Sequence, residues 1–186
     1  NVEVAFYDSV VDEIQHFIAA HAPERGGALI GPVGQPIVSR FVPDPDASVT
    51  SVTFTPSAKL QHAVEGIERS DSLLEFKGII HSHPSGYDEP SGGDLRAYTN
   101  KLRRAPWLGR FICPIVTSPT RSGRLGRHEL RLPSGVISVY VAEARPDGLV
   151  DVQPGQPRII PISSHTETMR QVLNAQVDAS SPCGLR

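Results

Sequence analysis

Apolar residues recur along this chain with two different periods, and the switches between them mark out its elements. Val10, Ile14, Phe17 and Ile18 share one helical face, so a helix is predicted over Ser9–His21, with Ser9 as its cap and Asp12 three residues on. Pro23-Glu24-Arg25-Gly26-Gly27 breaks it. "ALIG" (28–31), "PIVSRFVP" (36–43) and "VTSVTFT" (49–55) read as three strands. Leu60, Val64 and Ile67 return to helical spacing within Pro56–Arg69. "LLEFKGIIHSH" (73–83) alternates and then turns wholly apolar, as a strand covered on both faces does. A helix over Asp94–Arg104 follows, then strands at "RFICPIVT" (110–117), "RHELRL" (127–132), "VISVYVAEA" (136–144) and "PRIIPI" (157–162). Ser164 and Glu167 resemble a capping box ahead of Met169, Val172 and Leu173, which predicts a short terminal helix with a disordered end from Asp178. This order is not a strict βαβ repeat. It predicts an α+β domain, a mixed β-sheet packed with helices, over residues 1–162, and a tail over 163–186.

Composition narrows the function classes. The 186 residues carry a net charge of −2, which argues against a nucleic-acid binder. No apolar run approaches the length of a membrane span, and no secretory leader pattern opens the sequence. The two cysteines, Cys113 and Cys183, lie far apart, and Cys113 in "RFICPIV" reads as a buried small hydrophobe. A reducing, cytoplasmic setting is the expectation. Without a Cys-x-x-Cys pair, any metal site must draw on histidines and carboxylates.

One stretch supplies them. In "GIIHSHPSGYDEPSGGD" (78–94), His81 and His83 leave the strand on one face, with Ser82 on the other. Pro84, Gly86 and Pro90 turn the chain back. Ser91 and Asp94 then stand on neighbouring positions of a first helical turn. Two imidazoles and one carboxylate leave a fourth tetrahedral position for water, the pattern of a catalytic zinc. Ser91 and Asp94 equally suit an N-cap and an acidic first turn.

The spacing His-x-His, seven residues, Ser, two residues, Asp resembles the motif of the JAMM metalloproteases, the MPN-plus or JAB-type domain, in its prokaryotic form. "PERGGALIG" is similar to that family's glutamate segment and identifies Glu24 as the counterpart of its glutamate. The resemblance covers roughly Val4 to Glu143. It implies a JAMM/MPN (cytidine-deaminase-like) architecture and a Zn²⁺ cofactor on His81, His83 and Asp94. It further implies that Glu24 holds the zinc-bound water, takes its proton and passes it to the leaving amine, and that Ser91 stabilises the oxyanion. The implied activity is that of an isopeptidase or peptidase cutting after the C-terminal glycine of a ubiquitin-like protein, with E1-like or E2-like proteins as possible operon partners. Trimming of a sulfur-carrier or ubiquitin-like precursor, a RadC-type protein and a non-catalytic MPN scaffold are the alternatives. RadC-type proteins often carry His-Asn-His and a helical N-terminal domain, unlike the His-Ser-His here.

An exposed strand edge beside the zinc would suit an extended Gly-Gly tail, and "VTSVTFT" or the loop Ser85–Glu89 are the candidates. Arg121, Arg124, Arg127 and Arg131 form a basic cluster that reads as a solvated hairpin. Trp107 in "APWLGR" reads as a core or hinge anchor.

Overall fold

The computed structural model describes residues 2–21, 25–50, 53–118 and 123–180. Glu24, Arg121, Cys183 and the end of the tail from residue 181 lie outside the described residues. In chain order the elements are β1 (Glu3–Tyr7), α1 (Asp8–Phe17), β2 (Gly26–Pro32), β3 (Ile37–Val38), β4 (Arg40–Pro43), β5 (Ser48–Thr50), β6 (Thr53–Thr55), α2 (Ala58–Ser70), β7 (Leu74–Ser82) and α3 (Gly92–Arg104). There follow β8 (Arg110–Ile112), β9 (Ile115–Thr117), β10 (Glu129–Leu132), β11 (Gly135–Ser138), β12 (Tyr140–Ala144), β13 (Val150–Pro154), β14 (Gln156–Ile160) and α4 (His165–Ser180).

β7 is the spine. On one edge it pairs antiparallel with β2 from Gly26↔His81 to Pro32↔Leu74. On the other it meets two parallel neighbours, β8 at Gly78↔Ile112 and β9 at His81↔Ile115. These are the halves of "RFICPIVT", which is not one strand. Pro114 has no N–H to give a ladder, so the run breaks at Cys113-Pro114. β8 leads outward to β12 and β13, and β9 leads to β11 and β10. β4 covers the outer edge of β2.

Alternation along the sheet sorts the helices. Leu29 and Ile80 pack with Val10, Ile14 and Ile18 of the α1 region. Ala28 and Ile30 point the other way, to Leu60 and Val64 of α2. Tyr98 and Leu102 of α3 pack on Phe111, Cys113 and Ile115 beside them. Cys113 is fully buried as expected, and burial pushes its thiol pKa well up.

Several expectations need correction. β1 and β13 do not appear among the predicted strands; β1 lies parallel between β14 and β3 in a separate small sheet. α1 begins at Asp8, and its N-cap is Tyr7, whose hydroxyl meets His165 Nδ1 (3.0 Å) and caps nothing, while Asp8 accepts from the Ser9 N–H (2.8 Å). "VTSVTFT" divides into the ribbon β5–β6, and "VISVYVAEA" into β11 and β12. The terminal helix is long, running through Ser180. At its start, Ser164 donates its hydroxyl back to the Pro161 carbonyl (2.6 Å), and Glu167 takes up Arg170 and Gln171. Trp107 is not an anchor: the turn Pro106–Leu108 tucks Leu108 against the core and leaves Trp107 81% exposed.

Candidate metal centre

β7 ends at Ser82, and with Ile79 on the α3 side its alternation sends His81 and His83 the same way. Backbone bonds hold that end. The His83 N–H donates to the Val116 carbonyl (2.9 Å), and the Ser82 N–H donates to the Arg25 carbonyl (2.8 Å). The loop 84–90 returns the chain to Ser91, the N-cap of α3.

That cap is a complete capping box. The Asp94 N–H donates to Ser91 Oγ (3.2 Å) and the Ser91 N–H donates to Asp94 Oδ2 (2.8 Å). The Ser91 hydroxyl also donates to Asp94 Oδ2, at 2.7 Å. Ser91 is therefore the residue that aims the Asp94 carboxylate. Removing its side chain forfeits the cap as well as this aim. Ser91→Ala should lower stability by about 1 kcal/mol, read as a shift in urea midpoint.

Asp94 is buried, and its carboxylate meets both imidazoles. Oδ1 lies 3.2 Å from His81 Nε2, and Oδ2 lies 3.2 Å from His83 Nε2. The two Nε2 atoms are 2.9 Å apart. Burial alone would raise the Asp94 pKa. Hydrogen bonds from His81, His83 and Ser91, with the charge of His81, outweigh it and hold the carboxyl well below the usual carboxylate range.

These distances test whether the residues suit a metal. Ligand atoms each ~2.0–2.1 Å from a tetrahedral ion stand roughly 3.3 Å from one another. The two Nε2 atoms, 2.9 Å apart, each with one Asp94 oxygen at 3.2 Å, are spaced close to that. The donor chemistry agrees. His83 Nδ1–H donates to the Tyr87 carbonyl (3.1 Å), which makes Nε2 the nitrogen that would exchange its proton for a metal ion. Two imidazole nitrogens and a carboxylate converge on one point, where a cation can take the place of the protons they share. His81, His83 and Asp94 could thus hold a metal ion.

Two neighbours of the site are not apparent from the motif. Ser82, the residue between the histidines, accepts from the Arg25 N–H at Oγ (2.9 Å) and so ties down the residue that follows Glu24. Phe54 stacks on the His81 ring, with centroids 5.5 Å apart and planes 19° from parallel. The pair Gly26-Gly27 was the available signal, since glycines within a strand mark a close approach. A Cβ on Gly26 would stand 2.6 Å from both the Ile80 carbonyl oxygen and Phe54 Cε2, and one on Gly27 2.2 Å from the Val42 carbonyl oxygen and 2.6 Å from Phe41 Cε2. Beside the ligands a cleft of about 740 Å³ runs along the loop from His83 to Ser91, with the exposed side chains of Tyr87, Asp88 and Glu89 on its wall.

Residues 9–126 match the family described as prokaryotic homologs of the JAB domain, and the chain belongs to that family. The fold is similar to the solution structure of protein DSY2949 from Desulfitobacterium hafniense. The TM-score is 0.55 at 17% identity, over 87% of this chain and 97% of that one. AF2198, a JAB1/MPN domain protein from Archaeoglobus fulgidus, aligns with 86% of this chain and 99% of its own at 15% identity, with a TM-score of 0.41. No curated protein matches the chain. Among the described residues no helix is long and apolar enough to cross a membrane.

Proposed function

We propose that this chain is a zinc-dependent isopeptidase that cuts after the C-terminal glycine of a ubiquitin-like protein. The observation that carries the reading is the convergence of His81, His83 and Asp94 on one point, within a JAB domain. His81 and His83 would hold zinc through Nε2 and Asp94 through its carboxylate. When bound, zinc supplies Lewis acidity, which polarises a carbonyl and makes a water acidic enough to lose a proton near neutral pH.

The remaining work belongs to the chain's own residues. Glu24 accepts the proton of the attacking water and returns it to the leaving amine. Ser82 anchors Arg25, the residue that follows Glu24 in sequence, to the end of β7. The Tyr87 carbonyl holds the tautomer and orientation of His83. Ser91 lies on the cleft wall, where its hydroxyl, turned from Asp94 Oδ2, would meet negative charge developing on the scissile carbonyl. The exposed carboxylates of Asp88 and Glu89 favour a tail with basic residues before its terminal glycine. KM for such a substrate should therefore rise with ionic strength while kcat holds.

The decisive comparison is Glu24→Ala against the unaltered protein, on an isopeptide-linked conjugate and a linear precursor of the same ubiquitin-like protein. The variant should keep stoichiometric zinc and lose cleavage by at least about 10²-fold. Full cleavage by the variant removes Glu24 from the mechanism. Absence of zinc from the purified, zinc-supplemented wild type points to a scaffold. Cleavage of the precursor alone points to a trimming peptidase.

A further inference from the structure

We propose that Phe54 is a positioning residue for the candidate metal centre: it fixes the plane of the His81 ring, and the bare backbone at Gly26 is the slot that admits it. The proposal rests on the metal-site reading above. The two histidines are held differently. His83 is pinned through Nδ1 to the Tyr87 carbonyl. His81 Nδ1 is buried with no hydrogen-bond partner among the described residues. A ligand imidazole whose second nitrogen has no partner lacks the usual device that sets its orientation. Packing has to set it instead, and the face of the ring lies against Phe54, nearly parallel at 5.5 Å.

The slot is built for that ring. Gly26 is the ladder partner of His81. A Cβ there would come within 2.6 Å of both the Ile80 carbonyl oxygen and Phe54 Cε2, and 2.8 Å of Phe54 Cζ, so a larger residue would press on the paired strand and on the ring that lies over His81. Phe54 also arrives from an element that needs placing. β5–β6 is a two-stranded ribbon, which has no core of its own. Phe54 is buried while its neighbour Thr55 is exposed. The base of the excursion is closed separately. Buried Asp44 accepts from the Ser57 N–H (2.7 Å) and the Ser57 hydroxyl (2.6 Å), and Ser57 in turn caps α2. The clamp places the ribbon, and Phe54 transmits that placement to His81.

The test uses the full chain and two probes, Zn²⁺ affinity by chelator competition and the visible absorption of the Co²⁺-loaded protein. Phe54→Ala should weaken Zn²⁺ binding about 10–100-fold, the range for losing a partner of a metal-bound histidine, and alter the Co²⁺ spectrum. Phe54→Tyr, which keeps the flat face, should restore both. Phe54→Leu fills much of the volume without that face and should still perturb the spectrum. A merely structural Phe54 would shift thermal stability and leave affinity and spectrum where they were, and that result overturns the proposal. Should Phe54→Ala not fold, equal affinity and equal spectra for the Leu and Tyr variants overturn it likewise. If the wild type takes up neither metal, the zinc reading itself fails. The stack is then judged by NOEs from the His81 ring protons to its other neighbours, which Phe54→Leu must change and Phe54→Tyr must keep for the positioning role to stand.

Discussion

Asp94→Asn should leave a folded chain that no longer retains zinc and no longer cleaves. The substitution keeps the shape of the side chain and removes its charge, and both imidazoles lie 3.2 Å from that charge. Losing even an outer-shell partner of a metal ligand costs about 10–100-fold in affinity, so losing a ligand should cost at least about 100-fold. Metal content by elemental analysis and cleavage of a conjugate are the two readouts. A variant with stoichiometric zinc would remove Asp94 from the ligand set. The metal-free protein offers an independent check. The Asp94 carboxyl is held well below the usual carboxylate range, so the folded state favours its ionised form. That preference stabilises the fold above the unfolded-state pKa of about 3.9 and is lost as pH falls below it. The urea midpoint of metal-free wild type should exceed that of Asp94→Asn at neutral pH, and the gap should close in acid.

Gly78→Ala should be the most damaging small change in the sheet. Gly78 has φ 155°, which disfavours a side chain, and it stands in register with Ile112 where β7 pairs with β8. A Cβ there would stand 1.8 Å from the Ile112 carbonyl oxygen. The neighbouring atoms are backbone, so relief requires β8 to move off β7. A loss on the order of 3–5 kcal/mol is expected, with a fall in Tm on the order of 10 °C. A midpoint within about 0.5 kcal/mol of wild type would mean that β8 is free to shift.

Much of the site was legible because it is local. His81 and His83 share a face through strand alternation alone, and Ser91 and Asp94 are joined by the arithmetic of a helical first turn. The capping box that completes the geometry involves the same two residues. That hydrogen-bond pattern bears out the helix-capping reading of Ser91, and it spends the hydroxyl on Asp94. Phe54 and Ser82 were not legible in this way. The Phe54 stack depends on where a ribbon is clamped by Asp44 and Ser57, and no periodicity records that. Ser82 appears in the motif as a spacer, and its bonds to Arg25 arise only when β2 pairs with β7. The fold shows the same division. Helical spacing found α2 and α3 to within about two residues. β1 was missed because "EVAFY" runs directly into a helix, and its partner β14 lies at the far end of the chain. Trp107 was misjudged because aromatic character speaks for burial, whereas a short turn between α3 and β8 decides which of its residues face inward.

The ligands and the segment following Glu24 differ in how far the chain must reach to assemble them. His81, His83 and Asp94 meet when a loop of about a dozen residues closes, whereas Arg25 reaches Ser82 across a sequence separation of 57. The longer closure carries an entropic cost greater by roughly 1 kcal/mol and also requires β2 to find β7. By loop closure alone the three candidate ligands are the easier group to bring together, and on the proposed zinc reading they would lie near one another in a chain that has not yet paired β2. On the proposed function, a chain that took up its metal at that stage would do so before it acquired its proton acceptor, and would remain inert as a peptidase until the sheet closed.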